Sequence, residues 1–142
     1  MNHLTIHGID LPLPDDWRPK PAEGHTGYVG EGGLLDVRLK PGTVAIDEAR
    51  LQLAREKFAG RNATVSLLTM RGCRCLCCTY SERDCQILSL CLAVTAGSEL
   101  HAVYVFRPGH EDLAEFVQGE LFSQRSPQPF SSLALGQLNG LS

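Results

Sequence analysis

Across residues 72–106 the apolar positions fall into three runs, CRCLCCTY (73–80), CQILSLCLAV (85–94) and LHAVYVF (100–106), separated by SERD and TAGSE. Both separators are short, polar and rich in turn-forming residues, so the pattern predicts three antiparallel strands joined by hairpin turns. With Tyr80 opposite Cys85 and Val94 opposite Leu100, side-chain alternation sorts the segment into two faces. One face collects Cys73, Cys75, Cys77, Leu88, Leu90, Leu92, Val94, Leu100, Ala102, Tyr104 and Phe106, a core composition. The other collects Arg74, Leu76, Cys78, Tyr80, Cys85, Ile87, Ser89, Cys91, Ala93, His101, Val103 and Val105. A solvated sheet face carries polar residues, and this one is too apolar for that. It is expected to meet either a second layer of the same chain or a partner. A one-residue slip in either turn would exchange the faces of a strand.

The flanking pattern predicts elements that cover these strands. Residues 4–13 read as a strand broken near Gly8, and Trp17 follows the turn Pro14-Asp15-Asp16 as an anchor to the core. Short strands are expected at 25–29 and 34–39, the latter with Leu35, Val37 and Leu39 on one side, and another at 65–70. A helix is predicted over 47–59, with Asp47 as N-cap, Ile46 and Leu51 as a hydrophobic staple and Gly60 as its stop. Leu51, Ala54 and Phe58 form its stripe. Leu53 lies roughly 200° from Leu51 at ~100° per residue, so it belongs against a flanking loop or another chain. A second helix is predicted over 111–123 with the stripe Leu113, Phe116, Val117, Glu120 and Leu121. Gly119 costs that helix roughly 1 kcal/mol relative to Ala, and close approach to the sheet would explain it. The uncharged SPQPFSSLALGQLNGLS that ends the chain is expected to be a flexible tail over 126–142, leaving 1–125 as a single α+β domain.

Composition narrows the function classes. The chain has 142 residues, a net charge of −3 and a pI near 5.9, which gives no electrostatic case for nucleic acid or an acidic membrane surface. No apolar run approaches the ~20 residues of a membrane span, and MNHLTIHGIDLPLPDD has no secretory pattern, so a cytoplasmic location is expected. Six cysteines without an export signal then imply free thiols. Cys73, Cys75, Cys77 and Cys78 lack the second knuckle that structural zinc sites use. Core packing is the expectation for them, with no metal and no cofactor.

Catalytic chemistry finds little support. GEGG at 30–33 lacks the following helix and Lys-Ser/Thr pair of a phosphate loop. His101 lies diagonally from Cys91 in the register above, and this is the best Cys/His pair. No carboxylate falls beside it there, and a nucleophile needs an oriented base. No catalytic residue is therefore assigned.

The stretches LPLPDDW (11–17), VRLKPG (37–42), IDEARLQLAREKF (46–58) and RGCRCLCCTY (71–80), in this order of elements, resemble the DcrB/PsbP-like (Mog-type) α+β family over residues 4–123. The lipid-attachment cysteine of its lipoprotein members has no counterpart near this N-terminus. The resemblance implies an antiparallel meander sheet packed with two helices. Soluble members are similar to the effector-associated chaperones of type VI secretion, homodimers that shelter apolar helices of an effector against the sheet. On that reading the partner-binding residues are Leu76, Cys78, Ile87, Ser89, Cys91, Val103 and Val105. The expected function is a non-catalytic cytosolic adaptor or chaperone that presents an apolar sheet face to a protein partner, which the resemblance implies is a secreted effector whose apolar helices it shelters. The alternative is an immunity-type inhibitor that blocks a toxin, and a third reading is an enzyme using Cys91 and His101.

Overall fold

The computed structural model describes residues 1–42, 45–95 and 97–126. It contains β1 (Asn2–Ile6), β2 (Ile9–Leu13), β3 (Arg18–Ala22), β4 (His25–Gly30), β5 (Gly33–Pro41), α1 (Glu48–Lys57), β6 (Thr64–Met70), β7 (Cys73–Glu82), β8 (Cys85–Thr95), β9 (Ser98–Phe106) and α2 (Glu111–Phe122). Seven strands form one antiparallel sheet in the order β3-β4-β5-β9-β8-β7-β6, and β1 pairs with β2 in a separate hairpin. The architecture is thus α+β, with two meanders, β3–β5 and β6–β9, joined where β5 pairs with β9.

The two faces predicted for the central strands are the observed ones, although the register differs by two residues in each hairpin. Glu82 stands opposite Cys85, and Leu92 opposite Leu100. A shift of two preserves every side chain's face because the strand period is two. The strands run deeper into the separators than the polar composition suggested. Arg83 and Asp84, with φ of 51° and 66°, close the first hairpin as a two-residue turn, a geometry whose twist matches that of paired strands.

The first face packs into the main core. Leu90, Leu92, Ala102 and Tyr104 are fully buried there with Cys75, beneath Ile9 and Leu11 of β2 and Val117 and Leu121 of α2. Residues 4–13 form a hairpin instead of a broken strand, because His7 and Gly8 both take positive φ and turn the chain back. Trp17 is 2% exposed and packs on Tyr104 and Phe106, as its position after the turn implied. The glycines at 30–33 serve this packing. A Cβ on Gly30 would lie 2.0 Å from the Trp17 ring, and one on Gly33 would lie 1.9 Å from the Val105 carbonyl.

Several side chains depart from the predicted stripes. On α2 the buried residues are Ala114, Val117 and Leu121, while Phe116 is 53% exposed. A Cβ on Gly119 would meet nothing within 4 Å, so that glycine does not bring the helix close to the sheet. Leu35 and Val37 are buried, but Leu39 is exposed near the end of β5. Leu53 on α1 is 63% exposed. After α2 the Gln124 side chain bonds both backbone groups of Asp10, which ties the β1–β2 hairpin down. Ser126, the first residue assigned to the tail, donates its amide to the Thr69 carbonyl at 2.7 Å. The rest of that tail lies outside the described residues. Among the described residues no helix is long and apolar enough to cross a membrane.

Candidate functional site

Among the described residues, the second face of the sheet is half covered. Helix α1 is capped as its sequence predicts, with Asp47 Oδ1 accepting from the Ala49 and Arg50 amides. Its stripe of Leu51 and Ala54, with Ile46 before it, packs on Leu76, Cys78 and Cys91, and Phe58, Val65 and Leu67 border that cluster. These contacts place α1 over β6, β7 and β8. Phe58 also meets the Tyr80 ring at 4.9 Å between centroids. No residue of β4, β5 or β9 joins this second cluster.

The seven predicted partner-binding residues therefore separate into two groups. Leu76, Cys78 and Cys91 are buried under α1, where a partner reaches them only if the helix moves. Ile87, set between Tyr80 and Val105, is 8% exposed. Ser89, Val103 and Val105 are half-buried, and Leu34, opposite Val105 on β5, is 36% exposed. Asp36 and Arg38 continue that strip and are paired with each other, and Asp36 also meets His25.

At the boundary between the covered and open halves, four polar side chains converge. Cys91 and His101 stand directly opposite each other on β8 and β9. Glu99, two residues before His101, points to the same face opposite Ala93. The expectation that no carboxylate lies beside the Cys/His pair is thus corrected. It followed from reading TAGSE as the turn: β9 begins at Ser98, which puts Glu99 in the strand, and the pairing moves by two, so that Cys91 and not Ala93 stands opposite His101. Glu99 is accommodated by Gly42, where a Cβ would come within 2.4 Å of Glu99 Cγ. Arg50 reaches down from α1 and donates to Glu99 Oε2 at 2.6 Å. Glu99 Oε1 lies 3.0 Å from His101 Nε2 and 3.4 Å from Cys91 Sγ, and the sulfur lies 3.6 Å from the same Nε2.

The electrostatics follow from this packing. Arg50's hydrogen bond is the main reason that the Glu99 carboxyl is held below its usual range, with His101 and Cys91 adding to it. Burial, then the Glu99 charge, pushes the Cys91 thiol up to about 11. A thiol–imidazole–carboxylate triad needs the carboxylate on one ring nitrogen and the thiol on the other. Here both meet Nε2, and the thiol is held neutral, so the geometry does not assemble an activated nucleophile. A cleft of about 220 Å³, lined by Thr64, Thr79, Gln86 and Gln118 among others, lies toward the Arg83-Asp84 turn and contains none of these four residues.

A sheet with a hairpin and α2 on one face and α1 across part of the other is a PsbP-like α+β fold. Solved structures that share it include the following two. The solution structure of cyanobacterial PsbP (CyanoP) from Synechocystis sp. PCC 6803 matches with a TM-score of 0.56 at 9% identity, over 89% of this chain and 92% of that one. The crystal structure of PA94 from Pseudomonas aeruginosa, a protein of unknown function described as a putative regulator, matches with a TM-score of 0.50 at 12% identity, over 91% and 98%. At such identities the likeness is one of fold. No protein-family model matches the chain, and neither does any curated protein.

Proposed function

We propose that the protein is a non-catalytic adaptor of the chaperone kind, which receives an apolar helix of a secreted effector on the half of the sheet that α1 leaves open. The observation that supports this reading most is the half-open strip in which Leu34, Val103 and Val105 flank the small Ser89 beside a helix already docked on the same face. Neighbouring strands are about 4.8 Å apart, so β9, β5 and β4 together offer roughly 14 Å, enough for one helix about 10 Å across. The sequence resemblance to effector-associated chaperones supports the same kind of client and a homodimeric assembly. The inhibitor reading would favour acidic contact residues, whereas Asp36, the carboxylate on this strip, is already paired.

Val103→Asp tests the proposal. A carboxylate forced into a dry contact is desolvated without a counter-charge, which costs several kcal/mol, a large part of the about 8 kcal/mol of a micromolar complex. The variant is expected to stay folded by circular dichroism and to lose a synthetic apolar helix of the effector type, measured by co-elution. A variant that unfolds would place Val103 in an intramolecular core and refute the open face. A folded variant that retains the helix would refute it as the docking surface.

A further inference from the structure

We propose that Cys91, Glu99 and His101 form a binding site for a zinc-class divalent transition-metal ion, a role independent of the client-binding reading. Their donor atoms all lie within 4.8 Å of one another, and each comes from a different ligand chemistry. The triangle they form has edges of 3.4, 3.6 and 3.0 Å. Zinc bonds of about 2.3 Å to sulfur and 2.0–2.1 Å to nitrogen or oxygen in tetrahedral geometry span edges of roughly 3.3–3.6 Å. An ion can therefore sit against this triangle with sub-ångström side-chain adjustment.

The division of labour at Glu99 strengthens the assignment. Oε1 faces the sulfur and the imidazole, whereas Oε2 takes the short bond from Arg50 at 2.6 Å. Arg50 also reaches Oε1 at 3.4 Å and the Cys91 sulfur at 3.5 Å, longer contacts that an ion on the triangle would replace while the Oε2 bond goes on orienting the carboxylate. A divalent ion offsets one thiolate and one carboxylate, the Arg50 guanidinium beside them leaves one positive charge that an anionic fourth ligand would balance, and the proton leaving Cys91 goes to solvent on binding. Cys91 and Glu99 are buried, and His101 has 29% of its side chain exposed, which gives the fourth coordination position an approach from the open half of the sheet. Thiolate with imidazole selects zinc or cobalt over magnesium or calcium. The bound ion would tie β8 to β9 directly beneath α1, at the edge of the open strip.

The test uses the full-length, reduced, chelator-treated chain titrated with Co(II) and then Zn(II). One Co(II) per chain is expected, with a thiolate-to-cobalt charge-transfer band in the near ultraviolet that Zn(II) bleaches. Cys91→Ser is expected to abolish the band, and Cys73→Ser and Cys85→Ser to leave it intact. Should Cys91→Ser fail to fold, the half-exposed His101→Ala serves instead and is expected to weaken binding by roughly tenfold or more. Absence of a thiolate band in the wild type, a band that survives Cys91→Ser, or unchanged affinity in folded His101→Ala would overturn the proposal.

Discussion

Replacing Leu90 by Ala probes the assignment of the two sheet faces most directly. Leu90 is fully buried in the middle of β8, with Cys77 opposite on β7 and Ala102 opposite on β9. Both cross-strand neighbours are small and lack the reach to lean into a vacated space. Leucine-to-alanine changes in cores cost about 2–5 kcal/mol, and the cost rises with the cavity that remains. Poor collapse here places the expected loss in the upper half, about 4 kcal/mol. With a urea slope of about 1.5 kcal/mol per molar, the midpoint should fall by roughly 2.5 M. Arg74→Ala is the control, because Arg74 is exposed on the other face, and its effect should stay within about 0.5 kcal/mol. Urea titration by circular dichroism, fitted with a common slope, reads both values. A loss below about 1 kcal/mol for Leu90→Ala, or a larger loss for Arg74→Ala, would refute the face assignment.

Two further substitutions test the packing around that core. Gly119→Ala should stabilise the protein by up to about 1 kcal/mol, since the position is helical and the added Cβ enters open space. Gly33→Ala should do the reverse, because its Cβ would meet the Val105 backbone and its φ is 156°; equal melting temperatures for the two variants would contradict both accounts. Tyr104→Phe removes the 2.7 Å bond from the buried hydroxyl to the Pro12 carbonyl and should cost about 1–3 kcal/mol by leaving that acceptor dry. An unchanged thermal midpoint would show that the carbonyl finds another partner.

The faces of β7, β8 and β9 were legible because their apolar positions alternate, and alternation survives an error of two residues in register. The exact pairing was not legible, since polar turn-like residues such as Ser81 and Glu82 also serve as strand ends. That difference decided the chemistry. The two-residue offset hid the opposition of Cys91 and His101 and the position of Glu99. Arg50 gave no signal, because its partner lies 49 residues away on another element. The cap of α1 is local and was readable from Asp47. The extent of its cover was not, because whether a helix spans all or half of a sheet depends on tertiary placement. Phe116 shows the same limit on α2, where several rotations of the stripe fit the apolar pattern and packing selected Ala114, Val117 and Leu121.

The half-covered face also predicts a difference between two adjacent cysteines. Cys77 and Cys78 are 3% and 5% exposed but face opposite ways on β7. Cys77 belongs to the main core, and its thiol is pushed up to about 12 by burial. Cys78 lies only beneath α1, whose buried contacts are Ile46, Leu51 and Ala54, with Phe58 at the margin. A single helix held by so few apolar groups can lift while the seven-stranded sheet stays paired, and such local opening costs less than global unfolding. Cys78 should therefore react with a thiol reagent faster than Cys77 in the native protein. The urea dependence separates the routes, since the response to denaturant scales with the surface exposed. Labelling of Cys78 should rise weakly with urea, because lifting α1 exposes little area, and labelling of Cys77 should rise with the full slope of unfolding. Site-resolved mass spectrometry after timed exposure reads both rates from one sample. Identical rates and slopes would mean that α1 and the sheet open together. The predicted outcome would instead make Leu76, Cys78 and Cys91 reachable by a partner whenever the helix lifts, which enlarges the open strip toward β7.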